Sequence, residues 1–512
     1  MISRFDVNSP RNARWIALVL FLLMLITRLP FQSQYLYHWD SVNMAFGIQN
    51  YDVTQGAPQY PGYIVYIVLA QVFNTVFRDH QQTMVIISIV SSGLAASTIF
   101  YLGRLMFSST TGILSALFLI SSPLFWFYGE IALPHTLDLF AITLSALLLY
   151  KIMLGETRWL WWTVIFLALV GGFRQQDLLF LAPLILFTCY RIGIWRIVGA
   201  VILGGLVTAA WLIPLLAYSG GLQSYLAGSS GFTASFFTTT SVLSGAGEFG
   251  LRRNILNKLL PYTLYGLSLS AIPAVLYFVL HVPTKWKNWL KSRKVWFLFL
   301  WVTPAIVFYA FIHMGQQGLV FVFLPALLIM SAESLYRLLH QRAIAFRLVT
   351  AAIVLFGVIV FVLGPTYPLG SDSFKLLTYS TLRDNDRLLR DQLEVIRENF
   401  PSDNTLLVSA NWRFIQYYLP EYKYAAFNIG ARFEVAEGQV TGADYINQPV
   451  STAELGLNGE AGWQIVIADR EIDAFVSTAK EQIILDDGFT MSYILAQPDE
   501  VYWTDGSSIE VR

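Results

Sequence analysis

The chain has 512 residues, of which 55% are hydrophobic and 13% are charged, whereas a soluble domain is roughly 45–50% apolar and about 25% charged. The single cysteine excludes a disulfide scaffold, and a balance of 33 basic against 33 acidic residues excludes a basic nucleic-acid-binding protein. The net charge of zero is unevenly divided. Residues 1–364 carry 22 basic and 10 acidic residues, and residues 365–512 carry 11 and 23. We therefore expect a transmembrane module over 1–364 and a soluble domain over 365–512.

Apolar runs between charged breaks predict the membrane helices, because about 20 apolar residues are needed to span the hydrocarbon. A further run, 61–77, opens with Pro61 and is interrupted by Gln71 and Asn74, so we expect it to lie along the outer surface as a juxtamembrane helix. The predicted fold class is an all-α polytopic membrane protein with about eleven transmembrane helices. The predicted spans are 15–29, which we interpret as a retained anchor, 82–101, 111–128, 136–154, 159–173, 178–190, 197–217, 261–281, 296–312, 318–336 and 348–364.

The distribution of Lys and Arg predicts the orientation, because basic loops stay in the cytoplasm. With 61–77 on the outer surface, the basic clusters at 285–294 and 337–347 fall on the cytoplasmic side of the cell membrane. The N-terminus is then cytoplasmic and the C-terminal domain extracytoplasmic. Seven acidic residues gather on the outer side, and because charges near the membrane are costly, they indicate a site there. They are Asp40, Asp52, Asp79, Glu130, Asp138, Asp177 and Glu248.

The first predicted outer loop, 30–60, is aromatic and carries Asp40 early in its sequence. Together with Tyr60 and Tyr63 it is suited to a sugar or an isoprenoid chain, and an aspartate there can act as a general base. The alternative is that the aromatic residues form an interfacial belt and that Asp40 caps a helix over 41–49.

Four motifs follow one another on the predicted outer side. They are Asp40 followed by Pro61-Gly62-Tyr63; Ser122-Pro123 followed by Glu130 and His135; Gly171-Gly172-Phe173-Arg174; and His313-Met314-Gly315-Gln316-Gln317-Gly318 followed by Pro325. Their order over residues 15–364 resembles the GT-C superfamily of membrane glycosyltransferases. Within that superfamily, the order resembles that of the protein O-mannosyltransferase and aminoarabinose-transferase-like enzymes.

The resemblance implies transfer of a sugar, with inversion, from a polyprenyl-phosphate donor in the membrane lipid to a protein, lipid or glycan acceptor. By analogy, Asp40 is the general base and Arg174 holds the departing phosphate. Gln316 and Gln317 depart from the family, which often has Arg-Tyr or Lys-Tyr there, so Arg252 and Arg253 compete with Arg174 for the phosphate. The implied sugar-binding or orienting residues are Glu130, His135, Asp138, Gln175, Gln176 and Asp177, with Tyr60, Tyr63 and His313 in the neighbouring loops.

Structural alternatives remain for these residues. Arg174 and Asp177 could form an ion pair at a helix end, His135 could be an interfacial histidine, and Arg252 and Arg253 could be solvated loop charges. No Asp-x-Asp pair or His/Cys cluster stands in the predicted outer loops of the membrane half, which favours a mechanism without a metal cofactor. A divalent cation shared by Asp40, Asp52 and Glu130 is the alternative.

Two further regions yield structural predictions. The segment 218–260 is rich in small residues, and we expect a long loop that acts as a mobile lid. In the C-terminal domain, Thr381 and Asp384 begin a helix that continues to Phe400. Asp384 and Asp386 form an Asp-x-Asp pair by spacing, which we interpret as helix-start charge. A second helix over 411–419 and strands at 405–409, 463–468, 482–485 and 491–496 complete a small α/β domain.

The function with the strongest support from the sequence is therefore a glycosyltransferase. The alternatives are a polytopic transporter or lipid flippase without transferase activity, and a membrane scaffold. Transporters tend to place charges near mid-membrane and to contain internal repeats, and the sequence shows neither feature.

Overall fold

The computed structural model describes residues 9–370, 374–426, 430–436, 439–446, 450–451, 464–469, 481–484, 490–495, 501–504 and 507–510. The chain folds into two compact units. The first comprises Met1–Tyr37 and Gly47–Arg383, and the second comprises His38–Phe46 and Asp384–Arg512.

Helices make up the first unit, and two of them, α2 and α18, continue across its boundaries. Shorter turns link them, including a 3-10 turn at Gln317–Val322 and a π-helical turn at Ile255–Leu259. The helices are α1 (Pro10–Arg28), α2 (Trp39–Gln49), α3 (Ile64–Phe77), α4 (His80–Met106), α5 (Ser109–Ser121), α6 (Pro123–Gly129), α7 (His135–Met153), α8 (Leu160–Phe173), α9 (Gln175–Cys189), α10 (Ile194–Tyr218), α11 (Leu222–Thr240), α12 (Gly247–Asn254), α13 (Leu260–Leu267), α14 (Ala271–Leu290), α15 (Arg293–Phe311), α16 (Leu324–Leu339), α17 (Ala343–Leu363) and α18 (Tyr379–Asn399).

Seven helical segments in the described part of the chain are long and apolar enough to cross a membrane, and one of them is the continuous segment Gly247–His281 formed by α12, α13 and most of α14. The pair α5 and α6, bent by 65°, counts as an eighth if it is one span. The bend lies at Ser122-Pro123, where the Ser122 hydroxyl accepts the Phe125 N–H and proline occupies the first helical position. The protein is a multi-pass membrane protein.

Three of the eleven predicted spans form helices that are shorter than a membrane-spanning helix needs to be. The predicted spans 159–173, 178–190 and 318–336 form α8, α9 and α16, which have 14, 15 and 16 residues. Each is shorter than the about 20 residues that cross the hydrocarbon. All eleven apolar runs nevertheless form helices, with a break at Ser122 in the run 111–128, because a helix satisfies the backbone polar groups of an apolar segment internally.

Helix α4 lies at the centre of the first unit, where it packs against α1, α5 and α7. Glycine allows α4 and α5 to approach closely. A Cβ on Gly112 would lie 2.4 Å from the Phe100 carbonyl oxygen, and one on Gly103 would lie 2.9 Å from the Gly112 Cα. Because α7 packs on α4, the polar first turn of α7 lies in the interior of the unit.

The prediction of a long loop over the segment 218–260 is wrong. It forms α11, a short 3-10 turn and α12 rather than a long loop. Gly228 explains the close packing of α11, because a Cβ there would lie 1.9 Å from the Tyr60 hydroxyl. The predicted run 61–77, by contrast, is helical as expected and forms α3.

The second unit contains a five-stranded sheet in the order β2-β1-β6-β8-β7. Strand β1 pairs in parallel with β2 and β6, whereas β8 is antiparallel to β6 and β7. The predicted small α/β domain is confirmed, although residues 463, 485 and 496 of the predicted strands lie outside the described residues. The elements are β1 (Thr405–Ser409), α19 (Trp412–Tyr418), β2 (Lys423–Ala426), β3 (Gly430–Ala436), β4 (Gln439–Ile446), β5 (Val450–Ser451), β6 (Gln464–Ile467), β7 (Glu481–Ile484), β8 (Thr490–Leu495), β9 (Val501–Thr504) and β10 (Ser507–Glu510).

Candidate active site

A buried ion pair joins Arg174 to Asp138. Arg174 is the extended residue between α8 and α9, and Asp138 lies in the first turn of α7. The Arg174 Nη1 donates to the Asp138 Oδ2 at 2.7 Å, and the two residues are 8% and 2% exposed. The structure therefore pairs Arg174 with Asp138 instead of Asp177, the partner considered from the sequence. Burial of such a pair is costly unless its geometry is good and its remaining polar groups are hydrogen-bonded.

Asp177 adds a second carboxylate to this group. It lies in the first turn of α9, is fully buried and is within electrostatic reach of Arg174 and Asp138. Neither of its oxygens has a hydrogen-bond partner in the described part of the protein. The buried Tyr66 hydroxyl of α3, close to Asp138, also lacks one there. The cluster thus has spare hydrogen-bonding capacity that a ligand with hydroxyl groups could use.

Tyr63, Tyr309 and Gln176 surround the same cluster. Tyr63 and Tyr309 lie within electrostatic reach of Arg174, and Gln176 is beside Tyr309. Tyr63 adopts a left-handed conformation (φ 42°) immediately before α3. The cluster thus draws side chains from α3, α7, α9 and α15.

A chain of hydrogen bonds connects this cluster to α11. The Gln175 side-chain amide donates to the Tyr225 hydroxyl at 3.0 Å, and that hydroxyl donates to the Pro61 carbonyl at 3.1 Å. The Tyr60 ring lies 5.7 Å from the Tyr225 ring. Gln175 and Tyr60 are therefore both contacts of α11, a role that the sequence did not indicate.

His135 is engaged with the loop before α16. Its Nε2 lies 2.8 Å from the Gln316 Oε1, and its ring stacks on Tyr128 with centroids 4.9 Å apart. The Tyr128 hydroxyl donates to the Gln317 Oε1 at 3.3 Å. A Cβ on Gly318 would lie 1.8 Å from the His135 ring, so glycine is required there. The structure thus brings together His135, Gln316 and Gln317, which the sequence had placed in two separate loops.

Basic residues of α12 and of the following π-helical turn also bind the loop before α16. The Arg253 Nη1 donates to the Met314 carbonyl at 3.3 Å, and the Lys258 Nζ donates to the Gly315 carbonyl at 3.1 Å. Burial, with a smaller contribution from the charges of Arg253 and Lys258, lowers the pKa of His313 to about 4. Arg253 is therefore not a solvated loop charge, whereas Arg252 is exposed as that alternative predicts.

Glu130 has a different partner from the Arg174 cluster. It is fully buried beside Trp126, and its electrostatic partner is Arg28 at the end of α1. The Arg28 guanidinium lies 4.1 Å from the Trp126 ring centroid and donates to the Ile120 carbonyl at 2.8 Å. Glu130 therefore interacts with the charge of Arg28 rather than with that of Arg174, and neither of its oxygens has a hydrogen-bond partner in the described residues.

Asp40 lies in the first turn of α2 and belongs to the second unit. Its side chain is 27% exposed, and its Oδ2 is 3.9 Å from the His38 Nδ1. Asp40 is inside the helix rather than its cap, because α2 already begins at Trp39. Asp52, in contrast, serves a turn and accepts from both the N–H and the hydroxyl of Thr54.

No protein-family model matches the sequence, and no curated protein does. Solved structures do. ArnT from Cupriavidus metallidurans bound to undecaprenyl phosphate aligns with a TM-score of 0.55 at 12% identity, over 96% of this chain and 100% of that chain. An Archaeoglobus fulgidus oligosaccharyltransferase tethered with an acceptor peptide gives 0.51 at 11%, over 96% and 74%. The complex of AglB from the same organism with an inhibitory peptide and a dolichol-phosphate gives 0.50 at 12%, over 95% and 74%.

The chain has the GT-C fold. The fold that the ordered outer motifs implied is therefore confirmed, while the roles of individual residues remain predictions. The sequence-based prediction did not include Tyr66, Tyr309 and Arg28 among the site residues. Each is a polar side chain inside or at the end of an apolar run, and this costly position could have identified them.

Proposed function

We propose that this chain is a glycosyltransferase that moves a sugar from a polyprenyl-phosphate-linked donor to an acceptor on the extracytoplasmic face. The observation that carries the proposal is the buried cluster of Arg174, Asp138 and Asp177 in a chain with the GT-C fold. The ArnT structure contains undecaprenyl phosphate and the AglB structure contains a dolichol-phosphate, so we extend that donor class to this chain. The orientation is the one predicted from the basic loops, with the N-terminus in the cytoplasm.

In the proposed reaction, the Asp40 carboxylate takes the proton of the acceptor hydroxyl. The acceptor oxygen forms a bond to the anomeric carbon, while the bond from that carbon to the phosphate oxygen breaks on the opposite face. The phosphate leaves with the bonding electrons, and the anomeric configuration inverts. A general base of this kind contributes typically about 100- to 10,000-fold in rate.

Arg174 is the proposed cation for the departing phosphate. A guanidinium has five N–H donors, and Asp138 accepts from one nitrogen of Arg174, so other donors can bind phosphate oxygens. Asp177 and Tyr66, with their unused hydrogen-bonding capacity, would bind sugar hydroxyls. Arg253 is the competing cation, although it already binds the loop before α16.

The test uses purified protein, undecaprenyl-phosphate carrying a radiolabelled hexose, and a detergent extract of membranes as the source of acceptors. We expect transfer by the wild type, loss of at least about 100-fold in kcat for Asp40→Asn, and a strong loss for Arg174→Gln. Asp52→Asn is the matched control, because Asp52 serves a turn, and it should keep its activity.

Several results would contradict parts of the proposal. Full activity in Asp40→Asn would remove Asp40 as the base. Loss in Arg253→Gln with full activity in Arg174→Gln would move the phosphate role to Arg253. Movement of the labelled lipid across a proteoliposome membrane without sugar transfer would favour the alternative, a transporter or flippase.

A further inference from the structure

The helix that carries Asp40 packs against the C-terminal domain through two aromatic side chains. Residues His38–Phe46 belong to the same compact unit as Asp384–Arg512, although about 340 residues separate them in sequence. Trp39 and Phe46 are seven residues apart on α2 and therefore lie on one face of it. The Trp39 ring meets Trp412 edge-to-face at 5.4 Å, and the Phe46 ring meets Tyr417 at 5.5 Å.

Arg413 strengthens this contact between α2 and α19. Its guanidinium carbon lies 5.4 Å from the Phe46 ring centroid and 4.8 Å from the Trp412 ring centroid. A guanidinium within about 6 Å of an aromatic face is attracted by the ring quadrupole. One cation therefore interacts with a ring of α2 and a ring of α19 at the same time.

The sheet of the C-terminal domain supports Trp412 from behind. The Trp412 ring stacks on Tyr424 of β2 with centroids 5.7 Å apart and planes 8° apart. Just before α19, Ser409 and Asn411 both donate to the Asp469 carboxylate, at 2.6 and 3.1 Å. The helix that receives Trp39 and Phe46 is thus fixed to two parallel strands at its start.

We infer that the C-terminal domain holds the helix of Asp40 in place, and that Trp412 is a positioning residue for this aspartate. The inference rests on the proposed function, in which Asp40 is the base. A catalytic side chain must be held within about 0.5 Å of its productive position. Trp39 is the chain neighbour of Asp40, so the contact of Trp39 with Trp412 sets the rotation of the first turn of α2. Loss of this support lowers kcat and leaves donor binding, and hence KM for the donor, largely unchanged.

The variants are Trp412→Ala, Trp412→Phe and, from the other side of the contact, Trp39→Leu. Tyr493→Ala is the matched control, because it removes a ring pair of the same kind in the same unit, with Phe400 at 5.3 Å. Two quantities are measured in the full chain: hydrogen exchange of the 38–46 backbone, and kcat and KM for the undecaprenyl-phosphate hexose.

We expect Trp412→Ala and Trp39→Leu to speed exchange in 38–46 and to lower kcat at least tenfold, with KM for the donor within twofold. Trp412→Phe should keep most of the protection of the 38–46 backbone and most of the wild-type kcat. Tyr493→Ala should change neither the exchange rate of this segment nor kcat. Unchanged exchange in Trp412→Ala, or faster exchange with unchanged kcat, would overturn the inference. If Trp412→Ala does not fold, Trp39→Leu, which leaves the C-terminal domain intact, decides by the same two measurements.

Failure of the proposed function gives a different result. The wild type then transfers no sugar, whereas exchange in 38–46 still decides whether the C-terminal domain holds this helix. If the 38–46 backbone loses its protection from exchange in Trp412→Ala and keeps it in Tyr493→Ala, the C-terminal domain holds α2 through Trp412. Equal protection of this segment in the two variants would overturn that conclusion.

Discussion

The two regions proposed to carry the chemistry are built by different interactions. In the membrane unit, Arg174, Asp138 and Asp177 are charged groups that are almost completely buried. In the other unit, Asp40 is about one quarter exposed, and its helix is held by aromatic rings and one guanidinium. The first region depends on a balance of charge in a dry environment, and the second depends on ring packing at a partly wet surface.

This difference predicts how each region fails. Removing one partner of a buried ion pair leaves an uncompensated charge and costs much of the stability of a protein. Removing one ring of an aromatic pair costs about 0.5–1.5 kcal/mol beyond the lost burial. Substitutions in the Arg174 cluster should therefore disturb folding as well as activity, while those at the Asp40 helix should act mainly on activity.

The largest expected effect is that of Asp138→Asn. It leaves the Arg174 guanidinium buried without its ionic partner, which should cost about 3–5 kcal/mol of stability. Asp177→Asn is the matched control, because it removes a buried carboxylate that has no hydrogen-bond partner in the described residues, and it should be neutral or stabilising. Thermal unfolding in detergent measures both. Equal losses in the two variants would mean that Arg174 is shared evenly by the two carboxylates.

A second prediction concerns α11, a helix of the membrane unit that, like the Asp40 helix, is held partly by rings. Gly228→Ala places a methyl group 1.9 Å from the present position of the Tyr60 hydroxyl, and such overpacking costs about 1–3 kcal/mol. Gly231→Ala lies on the same helix with open space around it, and it should stabilise the protein by up to about 1 kcal/mol. Unfolding curves of the two variants provide the comparison. A stable Gly228→Ala variant would show that either the Tyr60 ring or α11 yields easily at this contact.

The sequence predicted the membrane helices from the length of continuous apolar runs. It predicted the small α/β domain from local helix and strand patterns. Both signals depend only on residues that are close in sequence. It failed at 218–260 because Gly, Ser and Thr disfavour helices locally. There, contacts of Tyr225 with Gln175 and Pro61, which are distant in sequence, override the local preference. The same limit explains Arg174, whose nearest acid in sequence is Asp177 but whose partner is Asp138, 36 residues away.

The sequence predicted which residues belong to the candidate site better than it predicted which of them lie in contact with one another. The sequence indicated Asp138 and Asp177 because charges near membrane helices are costly, whereas Arg174 and His135 were indicated by motifs that resemble those of the GT-C superfamily. It could not associate Asp40 with Trp412, because a contact between rings 373 positions apart leaves no periodic or compositional signal. Grouping of this kind is a property of tertiary packing.

The smallest expected effect is the pH dependence contributed by His313 in the loop before α16. Burial, and then the charges of Arg253 and Lys258, lower the pKa of His313 to about 4, against about 6.5 in an unfolded chain. Between these values the unfolded state binds more protons, so this group's contribution to stability is complete above pH 6.5 and is lost as the pH falls towards 4. From pH 7.5 to 5.5 the loss should be about 1 kcal/mol. His313→Gln removes the titrating group, so unfolding at the two pH values should show a drop smaller by that amount than in the wild type. An equal drop in both proteins would mean that His313 is protonated as easily in the folded loop as in the unfolded chain, so that neither burial nor the charges of Arg253 and Lys258 lower its pKa.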